Sequence, residues 1–422
     1  MRTAVNAYPR TADQFESTML PRPVHYFGTG GALTELAPHT LREHRQHFGA
    51  RPACVGAAAG KLIDRIEQAR LTGRGGAHLP SVVKWRAVRA AAGTRGSIVV
   101  ANGAEGEPDS RKDVALLELR PHLILDGLVC AAEALGAREA IVWLHENAHV
   151  SRAALSRALT ERTSLGEPAE PAIRIAFGPD AYLSGESGAV VRALSGGPAL
   201  PAFRTVPSAV KGVDGSPTLV HNVETLARVA QVARGAACAS ELVTVCIDET
   251  RIVLDVPTDA SLHTVVSHAI GAHPSAVLVG GWGGSWRAWP DLAKITIAEP
   301  SLRAHGLSLG AGVLHALPRG VCGLARAAEI ARYLAAQSAQ QCGPCQFGLT
   351  AVADRMTELA RGGRRTRRDA ARITAWADEI RGRGACHHPD GAVRMVVSAL
   401  EVFADDVAAH GRGRCLARRG RS

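Results

Sequence analysis

The sequence predicts an α/β domain, then a small β-grasp module, then an all-helical bundle. Three observations carry this. Strand-like and helix-like segments alternate up to about residue 235, two adjacent β-rich runs follow at 241–256, and beyond Gly323 strands give way to apolar spacing of the 3.6-residue type. The expected boundaries are 1–235, 236–320 and 321–416, with a basic tail at 417–422.

In chain order, residues 59–70 read as a helix, followed by the glycine-rich LTGRGGAHLP at 71–80. A second helix is expected to start near Pro80 and Ser81, with proline in the first turn and serine as the cap. SIVVANGAEGEPDS (97–110) is a short apolar strand running into an acidic, glycine-bearing loop, and helical spacing returns over 111–119 and 121–136. EAIVWLH (139–145) and PAIRIAF (171–177) are strand-like on either side of a helix over 149–162. ELVTVCID and TRIVLDV are two strands joined by a tight turn, and a helix (261–271) and a strand (275–281) complete the β-grasp order. LARAAEIARYLAAQ, FGLTAVADRMTELAR, RRDAARITAWADEI and GAVRMVVSALEVFADDV all carry helical periodicity, which makes the last part a bundle.

Composition narrows the function. The 422 residues suit about three domains, and 46% apolar against 21% charged residues supply buried cores and exclude a disordered chain. Aromatics at 4% argue against readers that stack nucleobases. No apolar run reaches the roughly 18–20 residues of a membrane helix, because Asp126 and Glu133 interrupt the best candidate. The N-terminus lacks the basic-then-apolar layout of an export signal, so a soluble, cytoplasmic protein is expected. The net charge of +10 is almost entirely arginine, as a GC-rich genome produces; an acidic partner is the sharper reading. Nine cysteines, an odd number, do not form a disulfide framework. Cys130, Cys246 and Cys322 are expected in cores.

Five constellations could carry chemistry. Gly73-Arg74-Gly75-Gly76 with Lys84 offers exposed amides at a helix start and two full charges, which suit an anion such as phosphate. Asn102, Glu105 and Glu107, with Lys112 and Asp113, lie just past a strand end, where α/β folds place ligands. Tyr182-Leu183-Ser184-Gly185-Glu186 and His221-Asn222-Val223-Glu224 repeat the strand-to-helix setting. Taken singly, each is as well explained by a turn or a solvated loop. Cys342-Gly343-Pro344-Cys345 with Cys386 is a redox or metal arrangement, and its helical surroundings favour cluster ligation over dithiol exchange.

In this order, these segments resemble the NADH-binding flavoprotein (F-type) subunit of respiratory complex I and its relatives in soluble hydrogenases and formate dehydrogenases. The family carries GRGGAGFPxGxKW, NADEGEPGxxKDR, YxCGEETAL, VNNVETL and CGxCxPC, and the likeness runs from about residue 60 to 405. The resemblance implies FMN held by Gly73, Arg74, Gly75, Lys84, Asn102, Glu105, Tyr182, Gly185, Glu186 and Asn222, with the chemistry carried by the flavin and Glu107 beside it. It implies an iron–sulfur cluster on Cys342, Cys345 and Cys386. Hydride from NADH would leave as single electrons toward a ferredoxin-like or other redox-protein subunit, through which any attachment to a membrane complex would run.

The departures define the alternatives. The Gly-Phe of GRGGAGF is His78-Leu79, the aromatic after KW is Ala87, the Asp of ADEGEP is Ala104, and the second Glu of GEET is Ser187. Loss of aromatic clamps puts NAD use in question and opens a reading in which electrons come from ferredoxin or another redox partner. A cofactor-free scaffold is the remaining alternative. The first cluster cysteine is Ala339, so the cluster is either [3Fe-4S] or [4Fe-4S] with a fourth ligand from Cys415, His387 or His388. One continuous helix over 391–410 would rise about 30 Å and carry Cys415 away from Cys386.

Overall fold

The computed structural model describes residues 33, 37–76, 78–93, 96–165, 170–203 and 205–417. Most of the basic tail, the N-terminal stretch read for an export signal, and Ala77 of the glycine loop lie outside the described residues. Helices α1 (Leu41–Phe48), α2 (Ala57–Gln68) and α3 (Ser81–Ala92) precede strand β1 (Ser97–Asn102). Then come α4 (Lys112–Leu119), α5 (Pro121–Leu135), β2 (Ala137–His145), α6 (His149–Ser164), β3 (Ile173–Gly178), α7 (Ser187–Leu194), β4 (Thr218–Asn222) and α8 (Val223–Ala233).

The four strands form a parallel sheet in the order β3-β2-β1-β4. β1 is central, and its run SIVVA is buried on both faces, as a parallel strand covered by helices must be. α5 is buried nearly all round, and so is α8, on which it packs. Gly127 makes that approach possible, since a Cβ there would fall inside the Leu226 carbonyl group. Pro80, not Ser81, holds the cap position of α3. Ser81 is its first helical residue, buried, with its amide donating to Leu71 O (2.8 Å).

A second sheet follows from β5 (Ser240–Ile247), β6 (Thr250–Pro257), α9 (Leu262–Ile270), β7 (Ala276–Val279), β8 (Ser285–Ala288), α10 (Glu299–Ala304) and β9 (Val313–Leu317). Its order is β6-β5-β9-β7-β8, with β5 and β9 parallel at the centre and the other pairs antiparallel. α9 covers one face through Leu262, Val265 and Val266. The other face shares a core with the helices that follow, to which the sheet gives Ala276, Leu278, Trp286 and Leu317.

Those helices are α11 (Gly323–Ala336), α12 (Leu349–Arg361), α13 (Thr366–Ile380), α14 (His388–Val402) and α15 (Ala404–His410). The expected single helix over 391–410 is broken: Phe403 leaves helical geometry (φ −103°, ψ 31°) and separates α14 from α15. A π-helical turn, Pro344–Gly348, leads into α12 and contains Cys345. No helix among the described residues is long and apolar enough to cross a membrane.

Candidate functional site

The chain order of the first sheet reverses between β1 and β4: β2 and β3 extend to one side of β1, and β4 is laid on the other. Ligands of open α/β sheets bind in the crevice beyond the strand carboxyl ends at such a switch point. Asn102 and Asn222, the last residues of β1 and β4, are register partners there. The glycine loop reaches the same place, since a Cβ on Gly75 would meet Cβ of Asn222 at 3.6 Å.

Lys84, on the first turn of α3, is half-buried beside this crevice. Burial lowers its pKa, opposed only by the charge of Glu186, and among the described residues no carboxylate stands within ion-pair distance of it. The amides of Gly75 and Gly76 have no acceptor among the described residues. An unpaired ammonium and free amides at the start of a helix fit a phosphate group, so the residues present fit the phosphate end of FMN. Arg74 does not share this role. Its guanidinium is buried against Glu241 (2.6 Å) of β5, and its amide donates to Thr225 Oγ1 (2.9 Å).

Several motif residues prove to be supports. Glu105 accepts from the amides of Asp113 and Val114 (both 3.1 Å), capping α4. Glu186 caps α7 through the Ala189 amide (2.9 Å), and Asn222 caps α8 through the Glu224 amide (2.9 Å) while donating to Asp113 (2.6 Å). Asn102 Nδ2 donates to Gly185 O (2.7 Å), tying two loops whose approach requires glycine: a Cβ on Gly185 would stand 2.5 Å from Ala104 O. Lys112 is buried in an ion pair with Asp113 (2.7 Å) and Glu224 (3.1 Å). Gly73 sits half-buried at the loop entry, its amide donating to Leu79 O (2.9 Å).

Glu107 is buried where the first sheet meets the second. It accepts from the Trp282 amide (3.1 Å) and from the Tyr182 hydroxyl (3.4 Å). Burial, then the charge of Asp109, pushes its pKa up to about 8. Burial would raise Asp109 too, but His315 (2.7 Å), Arg251 (2.6 Å) and Trp282 Nε1 (2.8 Å) hold it well below the usual carboxylate range. One acid of the pair is therefore neutral and the other charged at neutral pH. Sequence reasoning missed Asp109, two residues after Glu107, and Trp282 and His315, which are distant in the chain and match no motif.

Leu79 and Ala87 stand where the family motifs carry aromatics. Leu79 is 54% exposed. His78 occupies the left-handed region (φ 46°), which explains a glycine in the family pattern, and its Nε2 bonds Gly310 O (3.2 Å). Trp85 is fully buried and donates to the neutral His221 (2.9 Å), away from the crevice.

Cys342, Cys345 and Cys386 come together beyond α7. Burial, with Cys342 and Cys386 as neighbours, pushes the Cys345 thiol up to about 12, and Cys386 is raised by burial and feels both Glu186 and Cys342. Three neighbouring thiols fit three positions of an iron–sulfur cluster, which binds them as thiolates. The fourth is not supplied as expected. Cys415 groups with Cys322 and His410, His387 projects fully into solvent, and His388 Nε2 is engaged by Leu334 O (2.8 Å).

Known proteins resemble this chain in sequence and in fold. Residues 66–231 match the Nuo51 FMN-binding domain, and residues 325–410 match the NADH-ubiquinone oxidoreductase-F iron-sulfur binding region. The chain is 28% identical over 380 residues to an F-type NADH-quinone oxidoreductase subunit of Rhizobium meliloti, covering 83% of this chain and 88% of the relative. It is 26% identical to the NADP-reducing hydrogenase subunit HndC of Solidesulfovibrio fructosivorans, with 83% and 76% covered. A solved NAD+-reducing [NiFe]-hydrogenase in the H2-reduced state superposes with a TM-score of 0.80 at 26% identity, over 94% of this chain and 69% of that one. With both signature regions present in family order, the chain is similar to the F-type flavoprotein subunits over its FMN-binding and iron–sulfur-binding regions.

Proposed function

We propose that this chain is the FMN- and iron–sulfur-bearing electron-transfer subunit of a larger oxidoreductase. The carrying observation is that Glu186 serves both halves: Lys84 of the crevice and Cys386 of the thiol group each feel its charge. The crevice and the three thiols are thus neighbours, with Arg192 of α7 also bonded to Gln341 beside Cys342 (3.2 Å). Bound FMN would supply exchange between a two-electron donor and one-electron carriers, and the cluster would take electrons singly. Lys84 with the Gly75 and Gly76 amides would bind the phosphate. Asn102, Gly185 and Asn222 would shape the crevice floor, and Tyr182 would close its inner side against Glu107.

The division into 1–235, 236–320 and 321–416 is supported by the two sheets, the second with the strand order of a β-grasp. The exposed arginines of 361–368 would face an acidic redox partner such as a ferredoxin-like protein. An anaerobic spectrum with flavin, iron and sulfide assays tests the reading, and a colourless, metal-free protein after cluster reconstitution would hand it to the scaffold alternative. A second reading is favoured by Leu79 and Ala87, which leave the outer wall without the family's stacking rings: NADH binding lost, and electrons exchanged with ferredoxin or another carrier. Stopped-flow mixing separates the two. Flavin bleached by NADH supports a dehydrogenase, whereas flavin bleached by dithionite but not by millimolar NADH supports the carrier.

A further inference from the structure

We propose that Cys322, His410 and Cys415 form a mononuclear metal site, with zinc as the fitting ion, separate from the iron–sulfur site and closing the end of the helical bundle. The ligand atoms of these three residues all lie within 4.8 Å of one another. Cys322 Sγ and His410 Nε2 are 3.6 Å apart. A tetrahedral zinc with Zn–S of about 2.3 Å and Zn–N of about 2.05 Å places its sulfur and nitrogen ligands about 3.6 Å apart, and two sulfurs about 3.8 Å. Thiolates on different irons of a cluster must span the cluster itself and stand farther apart. The spacing therefore selects a single ion, and the soft thiolate and imidazole donors select zinc over magnesium or calcium.

The surroundings are built for the site. Cys322 is the N-cap residue of α11, His410 ends α15, and the turn that follows brings Cys415 back. The His410 carbonyl accepts from the amides of Gly363 and Gly413 (both 3.0 Å), fixing the end of the helix. Asp406, one helical turn earlier, accepts from the Leu416 amide and so holds the Cys415 segment. His410 Nδ1 and Asp406 Oδ1 are both buried without a hydrogen-bond partner among the described residues. A metal-bound imidazole is commonly steadied by an acceptor on its second nitrogen, and His410 Nδ1 has no other hydrogen-bond partner among the described residues to compete for that role. Binding Zn2+ would release two thiol protons to solvent and leave the Cys2His set neutral, with water as the fourth ligand. The ion would pin the start of α11 to the end of α15, 88 residues apart.

The test is metal analysis of the full chain, purified anaerobically with its cofactors. About one zinc per chain is expected beside the iron. Cys415→Ser and Cys322→Ser should each lose most of that zinc while keeping the iron. In the unmodified chain stripped of zinc by a mild chelator, Co2+ alone should bind with thiolate-to-cobalt charge-transfer absorption; this measurement does not depend on any variant folding. The proposal is overturned if the stripped chain binds no cobalt with both thiols free, if peptide mapping finds a Cys322–Cys415 disulfide, or if Cys415→Ser loses iron instead of zinc. Flavin and NADH readouts are separate, so failure here leaves the electron-transfer reading standing, and the reverse.

Discussion

Replacing Glu107 by glutamine isolates one buried proton. Folded Glu107 has its pKa pushed up to about 8, against a reference of 4.5. Burial is the main cause, Asp109 the second, and the donors from Trp282 and Tyr182 do not offset them. Between these pH values the folded chain holds a proton that the unfolded chain has released. The stability tied to that proton is fully present below pH 4.5 and is lost as pH rises through 8. A shift of about 3.5 units at about 1.36 kcal/mol each gives roughly 5 kcal/mol across the window. Glutamine keeps the length and an oxygen for the Trp282 amide but cannot ionise.

The assay is urea denaturation at a series of pH values from 5 to 8.5, followed by tryptophan fluorescence, since Trp282 donates directly to Glu107. Wild type and Glu107→Gln should be close at pH 5 and diverge upward, the variant being more stable by several kcal/mol at the alkaline end. Parallel profiles across the range would refute the reasoning, because they would mean that Glu107 titrates alike in both states. The outcome also fixes the charge of the crevice wall: a neutral Glu107 leaves Asp109, ion-paired with Arg251 and hydrogen-bonded by His315, as the only ionised acid of the pair.

Three other outcomes follow from the geometry. Lys84→Ala removes the unpaired ammonium and should weaken FMN binding about 10- to 100-fold, the loss of one charge-assisted contact of about 1.5–3 kcal/mol, as read by quenching of FMN fluorescence; unchanged affinity would put the phosphate elsewhere. Cys386→Ser should lower bound iron while Cys246→Ser, buried on β5 with its sulfur on Asp109 O (3.2 Å), should not; equal losses would mean a folding defect. Gly127→Ala should gain about 1 kcal/mol on helix propensity alone, but its Cβ meets the Leu226 backbone of α8, so a net loss of about 2 kcal/mol or more is expected as a lowered Tm.

What was legible in the sequence divides along the physics of range. The alternation of β1, α5 and β2 shows in continuous apolar runs, because strands covered on both faces need them. The bundle shows in its 3.6-residue spacing. β9 (VLHAL) does not, since its His315 reads as polar until Asp109 is seen to bond it from more than two hundred residues away. The break at Phe403 has no glycine or proline to announce it, so periodicity alone runs α14 into α15, although the expectation that Cys415 ends up away from Cys386 agrees with its place beside Cys322 and His410. Cys322 reads as a core residue for the same reason: its partners lie at the far end of the bundle.

The motif matches do not all testify to the same thing. Glu105, Glu186 and Asn222 cap α4, α7 and α8, and Lys112 and Glu224 form a buried ion pair beneath them. A chain that kept this fold and bound nothing would still need them, because each satisfies amides or charges that burial would otherwise leave unpaired. Arg74 falls in the same class through Glu241. Lys84 and the Gly75–Gly76 amides differ, since they satisfy nothing within the chain, and a half-buried ammonium without a counter-ion costs stability when nothing binds it. The three thiols beyond α7 likewise gather where a bare scaffold has no need of them, and burial keeps Cys345 and Cys386 protonated until a metal replaces the protons. The case for a working electron carrier over a bare scaffold therefore rests on these few groups, and variants of Lys84 and Cys386 decide it where variants of the caps would only unfold the protein.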